Sequence, residues 1–412
     1  MSLGRHELGK VLGIAVLSIA LGVSSLFALL GAGGSADGDT PETNPKAFTE
    51  FSIENEAALN LEGLVYDREL VTEEGDHFDL EERALGGLMG WLSPVAIRSQ
   101  DGQSIFYNAW TELRQVNPYQ SYSEQGLHMG DPVAIPSIRS VDLDSGDESI
   151  VAQGAFSLAE NQDGRLAFFK GSEDQFKLDK PYVGNIVVQS PSGQEQEIWT
   201  SSAASYIVVG WAGSTLLAYE KFEGEALSVI ALDGPSDARV LRPMSSIVAI
   251  SPDGTRVLLT NPPAHTVELV DVATGASLDV LNVSEDTPDS IRNPSYVGYA
   301  GDWQGDTVAA GLSNSNGLGS SIILFRIDGN TISVVDVVDP DMPKGTLGMY
   351  EPRLNGNELY SWAAVNDMSS NREVQRYFKV SCNLVSRTCS KSSAGDAKAV
   401  DSIAGPRNRT GE

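Results

Sequence analysis

Residues 251–275 read "SPDGTRVLLTNPPAHTVELVDVATG" and combine two apolar runs with two glycine-containing turns. The runs Val257–Thr260 and Thr266–Val272 are rich in Val and Leu, which is typical of short strands. Gly254 and Gly275 stand beside Asp or Thr, and Gly supplies the positive φ that tight turns require. This stretch therefore predicts two strands with a tight turn before the first and after the second.

The same pattern recurs along most of the chain. The first turn recurs every 41 to 62 residues, with glycines at Gly102, Gly164, Gly213, Gly254, Gly305 and Gly356. The second turn recurs with glycines at Gly146, Gly193, Gly234, Gly275 and Gly329. Repeats near this length, built from short strands without a long helical period, are typical of a β-propeller. We predict an all-β protein with a six-bladed β-propeller, and seven blades are the less favoured alternative.

Two phrases in the best repeat resemble a known family. "SPDGTRVLL" followed by "VELVDVATG" is similar to the repeat of the TolB-like and WD-repeat-like β-propellers of bacteria. "IVVGWAGSTLLA" resembles degenerate copies of that repeat, and the resemblance covers roughly residues 85–395. The Gly-His and Trp-Asp pairs of eukaryotic WD repeats are absent. The resemblance implies a propeller and leaves the subfamily open.

The composition limits the kinds of partner that the chain can bind. The chain of 412 residues is 41% hydrophobic, so it can bury a sizeable core, and its formal net charge is −28. So negative a surface repels phosphate backbones, and no basic patch interleaved with aromatic residues is present. We therefore expect no nucleic acid partner.

The N-terminal sequence predicts a membrane anchor. Val11–Leu30 carries no charge and is long enough for a helix to cross a bilayer. Arg5 and Lys10 precede it, and acidic residues follow it, so the N-terminus should stay in the cytoplasm and the folded part should lie outside. The apolar run is longer than that of a cleaved signal, which favours a retained single-pass anchor over cleavage near Ser35.

The remaining chain divides by composition. Residues 61–90 contain "GLVYDREL" and "DLEERALGGLMGW", and either supply a strand that closes the ring or form an extension that caps it. The predicted organisation is a cytoplasmic tail at 1–10, a transmembrane segment at 11–30, a polar linker at 31–60, the N-terminal extension at 61–90, the propeller at 91–392 and a flexible tail at 393–412.

Cys382 and Cys389 are the two cysteines of the chain. They lie seven residues apart in "SCNLVSRTCS", on either side of a turn-like segment. Two cysteines so placed can face each other across a hairpin, and an extracytoplasmic location lets them oxidise. We predict a disulfide bond on the outer strands of the last blade.

The sequence offers few groups for catalysis. His77, His128 and His265 stand without closely spaced partners, and no G-x-S-x-G motif occurs. We expect no cofactor. The weak candidates for a metal site are four acidic residues around one turn, which would suit calcium: Asp142, Asp144, Asp147 and Glu148.

The predicted function is binding. Propellers are rigid and carry variable loops, so we expect a module that binds an envelope protein or a surface ligand at the cell membrane. The alternative is an enzyme with a site in the central channel, such as a lyase or a glycan-active enzyme. Long loops at Thr111–Ile135, Gly171–Gly184 and Ser313–Ser320 predict the binding face. Its candidate residues are Tyr119, Tyr122, His128, Phe176 and Tyr182.

Overall fold

A computed structural model of the chain describes nineteen ranges. They are residues 51–58, 64–66, 68–72, 74–84, 95–114, 123–172, 175–177, 182–200, 204–222, 228–235, 237–261, 264–283, 294–297, 301–314, 321–340, 342, 346–367, 374–393 and 400–404. Every helix or strand named within these ranges is a β-strand. The predicted all-β class is therefore confirmed.

The strands are numbered in chain order. The first fourteen are β1 (Ser52–Ala58), β2 (Leu64–Tyr66), β3 (Glu69–Val71), β4 (His77–Asp79), β5 (Arg83–Ala84), β6 (Ala96–Arg98), β7 (Ser104–Glu112), β8 (Pro132–Asp142), β9 (Glu148–Gln153), β10 (Ala155–Glu160), β11 (Leu166–Gly171), β12 (Phe176–Lys177), β13 (Gly184–Gln189) and β14 (Glu195–Thr200). The other eighteen are β15 (Ala204–Ala212), β16 (Thr215–Phe222), β17 (Ser228–Gly234), β18 (Asp237–Pro243), β19 (Ser246–Ile250), β20 (Arg256–Asn261), β21 (Thr266–Asp271), β22 (Ser277–Asn282), β23 (Pro294–Val297), β24 (Asp302–Gln304), β25 (Thr307–Asn314), β26 (Ser321–Asp328), β27 (Thr331–Val338), β28 (Thr346–Asn355), β29 (Glu358–Asp367), β30 (Val374–Asn383), β31 (Thr388–Ser393) and β32 (Val400–Ala404).

Antiparallel sheets follow one another along the chain. The second, third and fourth sheets have the orders β10-β11-β13-β14, β15-β16-β17-β18 and β19-β20-β21-β22. The fifth has the order β23-β25-β26-β27, with β24 also beside β25. The sixth contains β28 to β31 and gains β1, from the predicted linker, as a parallel strand on β31. This succession of antiparallel four-stranded units is consistent with the predicted β-propeller.

The first sheet includes strands from both ends of the described chain. Its order is β12-β8-β7-β6-β32-β2-β3-β4, with β5 also paired to β7 and β9 to β8. β32 pairs parallel to β6 on one side and antiparallel to β2 on the other. The predicted flexible tail at 393–412 therefore contains a strand, because backbone groups of β6 and β2 hold residues 400–404. Strands β2 to β5 lie in the predicted extension at 61–90.

The predicted disulfide is present. Cys382 on β30 and Cys389 on β31 are directly opposite each other, with Cα atoms 4.0 Å apart. Both are buried in the core of the last sheet. The bond thus joins the third and fourth strands of that sheet, as the sequence predicts.

The repeated glycines occupy the predicted turns with one exception. All six glycines of the first turn and four of the second have positive φ, whereas Gly234 does not and ends β17. In two first turns a Ser side chain donates to an Asp two residues later, Ser99 to Asp101 and Ser251 to Asp253, each at 2.6 Å. A Cβ on Gly254 would lie 2.2 Å from the backbone nitrogen of Gly213, so turns of neighbouring sheets touch.

Hydrogen bonds made by leading strands tie neighbouring sheets together. A leading strand is the first strand of its sheet, and the leading strands β10, β15, β19 and β28 each contain a register shift. Ser157 in β10 has a φ of +63° and is fully buried. Its backbone N–H donates to Asn108 Oδ1 of the first sheet at 2.7 Å, and its hydroxyl donates to the Val208 carbonyl of the third sheet at 2.8 Å.

The third, fourth and fifth sheets are also joined by hydrogen bonds at their leading strands. The backbone N–H of Ile247 in β19 donates to the Tyr219 hydroxyl of the third sheet at 2.6 Å. The backbone N–H of Gly301 donates to the Val248 carbonyl at 2.7 Å, which links the fifth sheet to the fourth. Bulged positions thus expose backbone groups that the sheet ladder does not use, and the neighbouring sheet satisfies them.

The structure does not test the predicted membrane segment, since Val11–Leu30 lies outside the described residues. Within the described ranges, no helix has the length and apolar character needed to cross a bilayer.

Glu160 joins the first and second sheets at their tight-turn ends. It ends β10, and its carboxylate accepts the backbone N–H of Gln100 at 2.9 Å. Burial raises the pKa of Glu160 to about 7, the hydrogen bond from Gln100 opposes this shift, and the nearby Asp101 adds to it. The carboxyl group therefore titrates near neutral pH.

We predict that Glu160→Gln removes part of the pH dependence of stability. Because the pKa of Glu160 in the folded protein lies above the ordinary value of 4.5, its contribution to stability is fully present below about pH 4.5 and is lost as the pH rises through about 7. The variant should melt near the wild-type temperature at pH 5 and above it at pH 8. Thermal unfolding at both values measures this, with Glu197→Gln on an exposed strand as control. A variant that melts below the wild type at pH 8 would contradict the prediction.

Candidate binding site

Two of the three predicted binding loops meet in the structure. β12 belongs to the loop Gly171–Gly184 of the second sheet, yet it pairs with β8 of the first sheet. Phe176 is opposite Ala134 and Lys177 is opposite Pro132, at the end of the loop Thr111–Ile135. Most of the third loop, residues 315–320, lies outside the described residues. We call the short pairing segment 175–177 the strap.

Phe176 and Tyr182, two of the predicted binding residues, stack on each other. Their ring centroids are 4.6 Å apart and their planes differ by 14°. Phe156 lies beside both rings, at 5.3 Å from Phe176 and 5.4 Å from Tyr182. Phe176 is partly buried, whereas Tyr182 is buried and donates its hydroxyl to the Gly154 carbonyl at 2.7 Å. Phe176 thus forms the outer layer of the aromatic cluster, and Tyr182 supports it.

Gly171 makes room for this cluster. A Cβ at this position would lie 2.1 Å from the Tyr182 ring. The backbone of Gly171 also pairs with Gly184 across β11 and β13, so the chain passes close beneath the ring. A glycine here is required by the close approach of the ring.

Trp110 lies next to the cluster and was not predicted from the sequence. It is opposite Pro136 in the pairing of β7 with β8, two residues along β8 from Ala134. Alternating residues of a strand share a face, so Trp110 is on the side of the first sheet that carries Phe176. Its side chain packs against the core of the second and third sheets. Its indole Nε1 is buried and has no hydrogen-bond partner among the described residues.

The loop that leads into β8 carries two exposed apolar side chains. Leu113 is 42% exposed and Met129 is 70% exposed, and both lie in the loop that leads into β8. The predicted residue His128 is also exposed, and its Nδ1 lies 3.9 Å from Asp131, which pairs with Arg114 at 2.7 Å. The pKa of Asp131 is lowered, chiefly by the hydrogen bond from the His128 backbone. Tyr119 and Tyr122 lie outside the described residues.

Two of the four calcium candidates, Asp142 and Glu148, use their carboxylates in hydrogen bonds within the protein. Asp142 Oδ1 accepts the backbone N–H of Ser145 at 2.8 Å, which lowers the pKa of Asp142 and closes the turn. Asp144 donates its backbone N–H to Asp142, and Asp147 donates its own to the Ser145 hydroxyl. In the ranges that the structure describes, no group of three or more His, Cys, Asp or Glu is arranged to hold a metal ion.

Glu148 belongs to a buried ion network. Its carboxylate accepts the Tyr107 hydroxyl at 2.6 Å, Arg139 Nη1 at 2.6 Å and the Glu81 backbone N–H at 2.8 Å. Arg139 also pairs with the Glu81 side chain at 2.9 Å. Burial and the Glu148 carboxylate raise the pKa of Tyr107. The network therefore fastens the segment before β5 to the first sheet.

Comparison with known proteins gives similarities of overall structure only. No family model and no curated protein matches this chain. Among solved structures, dihydro-heme d1 dehydrogenase NirN is 12% identical with a TM-score of 0.47, over 88% of this chain and 78% of that one. The β-propeller domain of Cps50 (Swd1) from Myceliophteria thermophila is 8% identical with a TM-score of 0.40, over 73% of this chain and 96% of that one.

A prolyl oligopeptidase B from Galerina marginata is also similar. It is 12% identical with a TM-score of 0.39, over 71% of this chain. This chain spans 39% of the length of that protein. Because all three TM-scores lie below 0.5, the function of this chain has to be argued from its own residues, and the TolB-like subfamily stays a prediction.

We predict that Gly171→Ala destabilises the protein by displacing the Tyr182 ring. Overpacking of this kind costs about 1–3 kcal/mol. Gly234→Ala is the matched control, because a Cβ there meets nothing within 4 Å and the φ of Gly234 is not positive. Urea unfolding of each variant gives the free energies.

The cause is tested by repeating the substitution in a Tyr182→Ala background. There the cost of Gly171→Ala should fall to a small fraction of its value in the wild type, because the clashing ring is gone. An equal cost in both backgrounds would mean that the ring is not the reason.

Proposed function

We propose that this protein is a binding module that uses the loop ends of its first and second sheets. The observation that carries the proposal is the strap, which crosses from one sheet to the other and pairs with β8 at the end of a loop that bears exposed apolar side chains. Seven large apolar side chains are exposed in the described residues, and two of them, Leu113 and Met129, lie in the loop that leads into β8. Aromatic and Met side chains are enriched where proteins bind each other.

The proposed location is the outer surface of a cell membrane. Val11–Leu30 would anchor the chain, and the folded part would lie outside the cytoplasm, with an envelope protein or a surface ligand as partner. The charge asymmetry around the apolar segment supports this orientation. The disulfide supports it as well, since such bonds persist in oxidising compartments.

The proposed architecture is a closed ring. The six sequence repeats predict six blades, and the number of blades stays a prediction. In that arrangement the set β32-β2-β3-β4 fastens both ends of the chain to the first sheet. Counted as a blade of its own, the same antiparallel set would give the seven-bladed alternative.

The alternative function, an enzyme with a site in the central channel, is supported by one residue of a leading strand. Glu351 sits in the register shift of β28, is 3% exposed and has a φ of +51°. Strained and buried charged residues are typical of functional sites. The binding function ranks first because its surface is accessible, whereas Glu351 is enclosed.

We expect Met129→Cys to capture the partner and Val385→Cys not to do so. Both side chains are exposed, 70% and 73%, but Val385 lies in the β30–β31 turn, among the tight turns. Each variant has a single free thiol because the native cysteines are bonded. A membrane-impermeant maleimide-benzophenone, added to intact spheroplasts and irradiated, should attach to both variants and cross-link a partner through Met129→Cys alone.

Two results would contradict the proposal. Labelling that appears only after lysis would place the folded part in the cytoplasm. Cross-links from Val385→Cys without any from Met129→Cys would place the binding surface at the opposite ends of the sheets.

A further inference from the structure

The strap covers a strand edge that is otherwise open. β8 runs from Pro132 to Asp142, but β9 pairs with it only between Ser137 and Val141. The part of β8 before Pro136 therefore extends past β9, and the strap pairs with it there through two residues. An open edge of this kind accepts an added strand, because its backbone donors and acceptors have no partner within the sheet.

The Phe176 side chain fills a slot between the first and second sheets. On the side of the second sheet it contacts the Phe156 and Tyr182 rings. On the side of the first sheet its strand partner is Ala134, which is buried and shares a face with Trp110. Tyr182 also donates its hydroxyl to the Gly154 carbonyl, so this wall of the slot keeps a hydrogen bond to the second sheet when Phe176 leaves.

A buried donor belongs to Trp110, which lies on the same face of the first sheet as Phe176. Trp110 Nε1 is buried and finds no acceptor within the described part of the chain. Leaving such a donor unpaired is unfavourable, because the donor has lost its hydrogen bonds to water and gained none in the protein. A bound segment that supplied a carbonyl oxygen to Trp110 would remove this penalty, and the strap does not supply one.

We propose that this edge and slot form a binding site for an extended segment of a partner protein, with the strap as its internal occupant. The inference rests on the proposed binding function and names the chemistry of the partner. The segment adds antiparallel to β8, as the strap does, and inserts an aromatic side chain where Phe176 now lies. A basic residue follows the aromatic one, as Lys177 follows Phe176, which suits a protein of net charge −28.

The test uses the strap sequence itself as the probe. A labelled synthetic peptide of residues 172–181, "SEDQFKLDKP", is titrated into the full chain carrying Phe176→Ala, and binding is followed by fluorescence anisotropy. The variant should bind the peptide at least tenfold more tightly than the wild type, whose own Phe176 occupies the slot. The same peptide with Ala in place of its Phe should bind the variant at least tenfold more weakly.

Equal binding of the Phe and Ala peptides, or no binding of either at 1 mM, would overturn the proposal. If Phe176→Ala loses its far-ultraviolet circular dichroism, the two peptides are compared on the wild type. A tenfold preference for the Phe peptide is expected there too, and equal affinity overturns the proposal.

The outcome separates this proposal from the general binding function. If Met129→Cys cross-links a partner but the peptide does not bind, strand addition at β8 is rejected and the proposed binding function is retained. Peptide binding without capture would support the slot and reject the proposed envelope partner.

Discussion

The fold depends on hydrogen bonds that join the leading strand of one sheet to the next sheet. A separate four-stranded sheet has unpaired backbone groups along its first strand, and burying them without partners is costly. The register shifts in β10 and β19 turn some of these groups toward the neighbouring sheets. Ser157 shows the principle most fully, since it bonds to both the first and the third sheet while holding a φ of +63°. The strain of this residue is tolerated because two sheets fix its position.

The tight-turn ends of the sheets differ from the ends that carry the long loops. At the tight-turn ends, short turns touch their neighbours, as Gly254 touches Gly213, and side chains such as Glu160 reach the next sheet. At the opposite ends, long loops connect strands, and one of them reaches across to another sheet as the strap. Stability is therefore concentrated at the leading strands and tight turns, and the loop ends are left to vary. The proposed binding at the loop ends is in keeping with this separation.

The sequence predicted the features that depend on neighbouring residues. The turn glycines, the all-β class and the Cys382–Cys389 pair all follow from local patterns. The prediction of a positive φ was wrong only at Gly234, because this residue is still part of strand β17. Contacts between distant repeats carry no such signal. The pairing of Phe176 with Ala134 joins segments some forty residues apart, and Glu148 accepts a hydrogen bond from the backbone of Glu81, 67 positions away. Trp110 could have been singled out as a Trp at the start of a long loop, but its unpaired nitrogen is visible only in three dimensions.

The central claim is that a rigid set of tied sheets carries a strap that can leave its place. Hydrogen–deuterium exchange of the full chain, read by mass spectrometry at the level of short peptides, tests this claim most directly. Exchange at Ser157, Ile247 and Gly301 should require global unfolding, because their amides bond to neighbouring sheets. Peptides that contain Phe176 and Lys177 should exchange by local opening, orders of magnitude faster. Equal protection of the strap and the leading strands would contradict the account.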